Sequence, residues 1–229
     1  MNSEVISFLP LVLKGAYITV VLSLVSTGLA VVFGIFGASA KLSQRASLRI
    51  VGSIYTGVVR AVPDLVLMLL IFFGGQILIN NIANATGLIE RFQIPKFAAG
   101  AFTIGLIFGS YMTETFRSAY LSIPKGQVEA AKACGMRTSQ WLRYIVWPQI
   151  VPLALPSFTN NYLVLMKTTA LVSIIGLQDV TYTALQAGRT TREPFAFLLV
   201  AMLVYLVFTI ISDLGLRYME RRYRTELSA

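Results

Sequence analysis

At 229 residues, with 56% hydrophobic content and a mean hydropathy of +0.72, the chain is too apolar for a soluble domain of its size and reads as one transmembrane bundle with no room for a separate soluble domain. Its 19 Lys plus Arg against 10 Asp plus Glu would suit nucleic acid, but the basic residues cluster by membrane side, which argues against that class. With no histidine and a single cysteine, Cys134, no internal disulfide can form, the usual zinc or haem ligand sets cannot be assembled, and no metal site is expected.

Residues Met1 to Pro10 carry only one charge, Glu4, so a cleaved signal peptide is not expected, although Ala38-Ser39-Ala40 mimics a cleavage site. A first span is predicted from about Gly15 to Ala40, followed by a cationic loop of Lys41, Arg45 and Arg49 that belongs in the cytoplasm and puts the N-terminus outside. From Ile50 to about Asn80 the apolar stretch is longer than a bilayer needs, and Pro63 interrupts it; this predicts a kinked second helix. Asn80, Asn81, Asn84, Thr86 and Gly87 begin an external connection reaching Lys96.

A third span covers about Phe97 to Leu121. Its Gly105-Leu-Ile-Phe-Gly109 spacing would permit close helix approach, though the same spacing arises often by chance. The fourth begins near Val151 and runs to about Lys167, with Pro152 and Pro156 early and Thr159, Asn160 and Asn161 within it. A short helical piece from Thr168 to Leu177 then leads to a polar external segment holding Asp179, Gln186, Arg189, Arg192 and Glu193. The last span, about Pro194 to Leu216, stops at Arg217, Arg221, Arg222 and Arg224. The expected fold is therefore all-α and integral to the membrane: five spans, N-terminus outside, C-terminus inside, in one domain covering 1–229.

Between spans three and four lies a polar, cationic island, residues 124–148, the one long insertion facing water. Pro124 suits a helix start and Gly135 a helix stop; Thr138 or Ser139 can cap a second helix ending at Pro148. The pattern Glu129-Ala130-Ala131, three residues, Gly135, nine residues, Ile145, two residues, Pro148 resembles the "EAA" loop of ABC importer permeases. Further segments are similar to that family's polar amino-acid branch: Arg60-Ala-Val-Pro63, Tyr111-Met-Thr-Glu114-Thr-Phe-Arg117 and Lys167-Thr-Thr-Ala-Leu-Val-Ser. Ala61, Ser118 and Ala170 stand where glycine, glycine and serine are usual. Asp64 to Phe72, Thr169 to Ser173 and Leu177-Gln-Asp-Val carry the nearer similarity, to the first permease subunit of histidine/lysine/arginine/ornithine and opine importers.

The resemblance implies a permease subunit moving polar, chiefly basic, amino acids by ATP-coupled alternating access in a bacterial inner membrane. It implies Glu129, Ala130, Ala131, Gly135, Ile145 and Pro148 as the part gripped by a cytoplasmic ATPase. It also implies a sister permease, two ATPase copies and a periplasmic solute-binding protein as partners, with ATP and Mg held by the ATPase and no cofactor in this chain. No Gly-x-x-x-x-Gly-Lys-Ser/Thr loop occurs here, consistent with that division. Glutamine or opines are alternative cargoes. An intramembrane enzyme lacks a histidine base or a Gly-x-Ser-x-Gly elbow, and a non-transporting receptor would differ only in carrying no flux.

Charges in a span are costly and mark function or pairing. Glu114 and Arg117 can pair on one face, or Glu114 can line the substrate path. Asp64 is either a helix-start acid partnered by Arg60 or a discriminator of cationic cargo. Asn160, Asn161, Lys167, Thr168 and Thr169 form the remaining candidate path, with Lys167 suited to a carboxylate, to snorkelling, or to pairing with Asp179.

Overall fold

The computed structural model describes residues 3–86 and 93–226, and every regular element among them is helical. The long apolar run near the N-terminus forms α1 (Ser3–Leu42), beginning before the expected span. The chain turns back as α2 (Ala46–Ala61) and then breaks at Val62 and Pro63, whose extended backbones end one helix and start another. Proline lacks the N–H that a continuous helix would use there and disfavours the helical conformation of the residue before it. The second stretch is therefore two helices and not the single kinked one expected.

After the break come α3 (Asp64–Leu69), a π-helical turn at Leu70–Gly74 and α4 (Gly75–Thr86). Asn80, Asn81 and Asn84 thus lie on a helix that outlasts the predicted span, and Gln76 donates to Asn80 at 3.2 Å. Residues 87–92 of the expected external connection lie outside the described residues.

Next, α5 (Lys96–Leu121) is the most buried helix and the axis of the bundle. It runs parallel to α1, since Leu22 meets Gly100, Leu29 meets Gly105, Phe33 meets Gly109 and Thr113 meets Gly37. Glycine is required at this seam. A Cβ at Gly105 would sit 2.6 Å from the Leu29 Cβ, and one at Gly109 would sit 2.5 Å from the Phe33 Cβ. The Gly105/Gly109 spacing is a true close-packing seam, and α1 supplies Gly34 and Gly37 to the same contact.

The insertion folds as α6 (Lys125–Ala133), stopped at Gly135, whose φ of 77° is the left-handed conformation glycine adopts freely. Then α7 (Thr138–Trp141) is capped by Arg137 and not by Thr138 or Ser139: Gln140 Oε1 accepts from the Arg137 N–H at 2.8 Å. It continues through a π-helical turn at Leu142–Val146 into α8 (Trp147–Thr168). Pro148 therefore opens α8 and ends nothing, since the first turn of a helix has no use for its missing N–H.

Helix α8 runs antiparallel to α5, with Asn161 meeting Thr115 while Val146 and Trp147 lie beside Tyr120. A 3-10 turn at Thr169–Ser173 leads to α9 (Val180–Thr191) and α10 (Pro194–Glu226). The segment expected to be external and irregular is in part a helix, because Val180, Ala184, Ala187 and Gly188 give α9 one small apolar face against α1 and α10. In turn α10 runs antiparallel to α8, from Tyr205 near Thr169 to Glu220 at Thr159. Among the described residues three helices, at Pro10–Leu42, Asp64–Ala85 and Pro194–Tyr223, are long and apolar enough by themselves to cross a bilayer.

Candidate functional site

A polar cavity of about 410 Å³ opens between α2, α5 and α8, walled by Arg60, Tyr111, Glu114, Ser157, Asn160 and Asn161. Each wall comes from one helix face. On α5, Tyr111, Glu114 and Thr115 fall three to four residues apart; on α8, Ser157, Asn160 and Asn161 do the same. Asn161 donates to the Thr115 hydroxyl at 3.1 Å, tying the two faces together. The Arg60 guanidinium lies over the Tyr111 ring, 4.8 Å from its centroid, a cation–π contact that holds it at the rim.

Glu114 is the only acid in this wall and it is crowded by cations. Lys41, from the last turn of α1, bonds its carboxylate directly and also donates to the Thr56 hydroxyl at 2.8 Å. Arg117, one turn along α5, sits 3.5 Å away, so the expected pair forms, but as the weaker arm of a larger cluster. Lys41 was visible in the sequence only as the first cation of a loop. Nothing local told it apart from Arg45 and Arg49, and its partner is far off in the chain.

The other candidates separate. Asp64 stands half-buried in the first turn of α3, outside the cavity wall, and no Arg60–Asp64 ion pair forms among the described residues, because the break at Pro63 ends the helix that would have aligned them. Lys167 is exposed in the last turn of α8 and does not meet Asp179. Thr168 and Thr169 spend their hydroxyls on the Val164 and Met166 carbonyls. Asp179 is fully buried at the start of α9, where its carboxylate accepts from the Tyr182 N–H at 2.9 Å and, at 3.5 Å, from the Tyr205 hydroxyl. Burial pushes that carboxyl up to about 6, the backbone donors pulling only partly against it.

On the insertion, Glu129, Ala130, Gly135 and Pro148 are exposed, whereas Ala131 turns inward against Ile123, Trp141 and Val146, with Ile145 packed beside them. Lys132 lies 5.7 Å from the Trp141 ring centroid and helps fix α6 on α7. The result is a short helix with a bare outer face on a small apolar footing of its own.

Apolar helices long enough to cross a bilayer, a polar cavity between helices and an exposed helical hairpin define a multi-helix membrane protein. The chain belongs to the family of binding-protein-dependent transport system inner membrane components, whose pattern matches residues 30–225. It is 47% identical over 216 residues, 94% of each chain, to the histidine/lysine/arginine/ornithine transport system permease protein HisQ of Salmonella typhimurium. To the nopaline transport system permease protein NocQ of Agrobacterium fabrum it is 39% identical over 203 residues, 88% of this chain and 86% of the relative. A crystal structure of an amino acid ABC transporter with histidines superposes with a TM-score of 0.80 at 29% identity, covering 97% of this chain and all of that one. An inward-facing structure of the MetNI methionine ABC transporter shares the fold at 16% identity, with a TM-score of 0.78. The chain is thus a multi-pass inner-membrane permease subunit of an ABC importer.

Proposed function

We propose that this permease carries basic amino acids, with the cavity at Glu114 as the station through which they pass. The observation that carries the reading is the pairing of opposite recognition groups across that cavity: the Glu114 carboxylate, and the Arg60 guanidinium held over Tyr111. An amino acid presents an ammonium and a carboxylate, and the two groups answer them in turn, with Asn160 and Asn161 able to donate or accept beside them. The permease names of the relatives support basic cargo. The nopaline and octopine permeases among them support opines, built on the same amino-acid head, as the second reading.

Lys41 gives the path a means of exchange. It holds the Glu114 carboxylate while no cargo is present, and an incoming ammonium takes its place, releasing the junction of α1 and α2. Because a ligand shifts a conformational equilibrium only by its differential affinity, this trade of one cation for another is a physical link from cargo to helix packing. Asp64, at the start of α3, would meet the cationic side chain, and Lys167 and Thr168 would line the outer approach, with Thr169 buried behind them.

The alternating directions of α1, the α2–α4 segment, α5, α8 and α10 support five crossings, and the basic residues at Lys41 to Arg49, Lys125 to Arg143 and Arg217 to Arg224 support an outside N-terminus. In this reading the exposed face of α6, with Glu129 and Ala130, docks in a cytoplasmic ATPase. Ala131, Gly135, Ile145 and Pro148 hold that face at its angle. Two ATPase copies bind the ATP and Mg, a sister permease completes the pore, and a solute-binding protein delivers cargo from outside.

Uptake by proteoliposomes holding the complete importer, offered labelled arginine, lysine, histidine, ornithine, glutamine and nopaline, tests the assignment. Uptake of the four basic amino acids above glutamine, lost in Glu114→Gln, is the expected result. Glutamine preferred over all four, or a Glu114→Gln importer with unchanged selectivity, overturns it.

A further inference from the structure

One side chain ties the insertion to the root of α8. Gln149, half-buried in the first turn of α8, uses both hydrogens of its amide: Nε2 donates to Gln127 Oε1 at 2.6 Å and to the Ile145 carbonyl at 2.7 Å. The second contact fixes the polarity of the first. A carbonyl only accepts, so the Gln149 nitrogen must face Ile145, and Gln127 must then present its oxygen. Among the described residues this is the one side-chain hydrogen bond between α6 and α8. The rest of the footing under α6, Ala131 against Trp141 and Val146, is apolar contact without direction.

Both ends of this fork sit where a displacement would otherwise be lost. Gln127 and the buried Ala131 are four residues apart and share the inward face of α6, whereas the exposed Glu129, two residues from Gln127, lies on the opposite side. Ile145 belongs to the π-helical turn Leu142–Val146, and Pro148 brings no N–H to the turn that follows, so the root of α8 is the irregular part of the path. Beyond it α8 continues to Thr168. Gln149, Pro156 and Asn160 follow at spacings of seven and four, which puts them in one row along that helix. Pro156 and Asn160 line the polar cavity. The row of α8 that takes hold of α6 is therefore the row that faces the cavity, about 17 Å further along the helix.

We propose that Gln149 is the positioning residue that couples α6 to the cavity wall. Its amide splints α6 to the π-helical turn, so a displacement of α6 is carried along α8 to Ser157 and Asn160 and is not absorbed in the turn. The proposal deepens the reading that α6 docks in the ATPase, and rests on it. It makes an asymmetric demand on two positions: a donor at 149 and an acceptor at 127.

The test uses the complete importer in nanodiscs, with Cys134→Ser and Ser157→Cys in this chain as the background. The rate at which a water-soluble maleimide labels this chain is compared before and after trapping with ATP, magnesium and vanadate, so the result does not depend on the solute carried. Trapping should change the rate severalfold in the background importer. Gln149→Leu should shrink that change about fivefold, the equilibrium weight of one hydrogen bond, in complexes that remain assembled. Gln127→Glu and Gln149→Lys keep the acceptor and the donor and should preserve the change, whereas Gln149→Glu and Gln127→Lys reverse the polarity and should lose it. A role in folding alone would not follow donor and acceptor in this way. The proposal is overturned if trapping leaves the background rate unchanged, if Gln149→Leu matches the background, or if Gln149→Glu and Gln149→Lys behave alike. Glu129→Ala separates the two readings. If it loses the change while Gln149→Leu keeps it, α6 remains the docking helix and Gln149 is not its coupling; if it keeps the full change, the docking reading fails and takes this proposal with it.

Discussion

Two acids in this chain meet opposite environments. Glu114 on α5 is bonded by Lys41, backed by Arg117 and faced across a polar cavity by Arg60. Asp179 has no cation against it among the described residues; a backbone N–H and a tyrosine hydroxyl hold it in a fully buried cap between α1, α9 and α10. The first carboxylate is surrounded by more positive charge than it can neutralise. The second sits where burial resists ionisation. A charge that several partners share can be traded, whereas one enclosed by hydroxyls and amides serves to position a helix, and the transport role proposed for Glu114 rests on that difference.

The largest effect should come from removing the shared charge. Glu114→Gln leaves Lys41, Arg117 and Arg60 facing one another without an anion, at a cost of about 2–4 kcal/mol. Thermal unfolding in detergent checks it, and the exchange Lys41→Glu with Glu114→Lys should recover part of the loss.

Asp179→Asn should behave oppositely. Asparagine caps a helix as well as aspartate does, and it removes a charge that burial disfavours. Since the folded-state value of about 6 lies above the ordinary 3.8, the native state holds the proton more tightly. The wild type should therefore lose stability as pH rises from about 4 to 6, by ~1–3 kcal/mol from this group. Asp179→Asn should flatten that slope and match at pH 7.5 what the wild type shows at pH 4. A melting series from pH 4 to 8 reads both.

Tyr205→Phe should be the mildest of the three, under about 1 kcal/mol, because its hydroxyl reaches Asp179 only at 3.5 Å, a long hydrogen bond. A large loss there would show that Asp179 depends on this donor and not on its backbone partner.

How far each site could be read in advance follows from the same contrast. The insertion was legible because its logic is local: Gly135 stops α6 and the Glu129-Ala130-Ala131 run leaves its surface bare, all within a few turns. Its end was misjudged, since Pro148 enters the first turn of a helix after a π-helical turn that no pattern announces. The apolar runs of α1, α5 and α10 were legible from composition; the Gly105/Gly109 spacing allowed a close approach, but that α1 is the helix it meets was not legible, because that contact is set by packing between distant segments. The Glu114 cluster was half legible. Arg117 lies one turn away and was expected, but Lys41 arrives only because the glycine seam sets the register of α1 on α5. A helix at α9 was hidden by its own composition, because its buried face is Val, Ala and Gly while its charged residues dominate the count.

The central claim is that cargo at the polar cavity and the ATPase at α6 act on one bundle. Substrate-stimulated ATP hydrolysis by proteoliposomes containing this subunit, its sister permease, the ATPase and the binding protein, compared between native Glu129 and Glu129→Ala, tests it most directly. Stimulation by arginine, lysine or histidine in the native importer, lost in a Glu129→Ala complex that remains assembled, is the predicted result. No stimulation by any amino acid, together with a Glu129→Ala complex indistinguishable from native, would contradict both the cargo and the coupling role of α6.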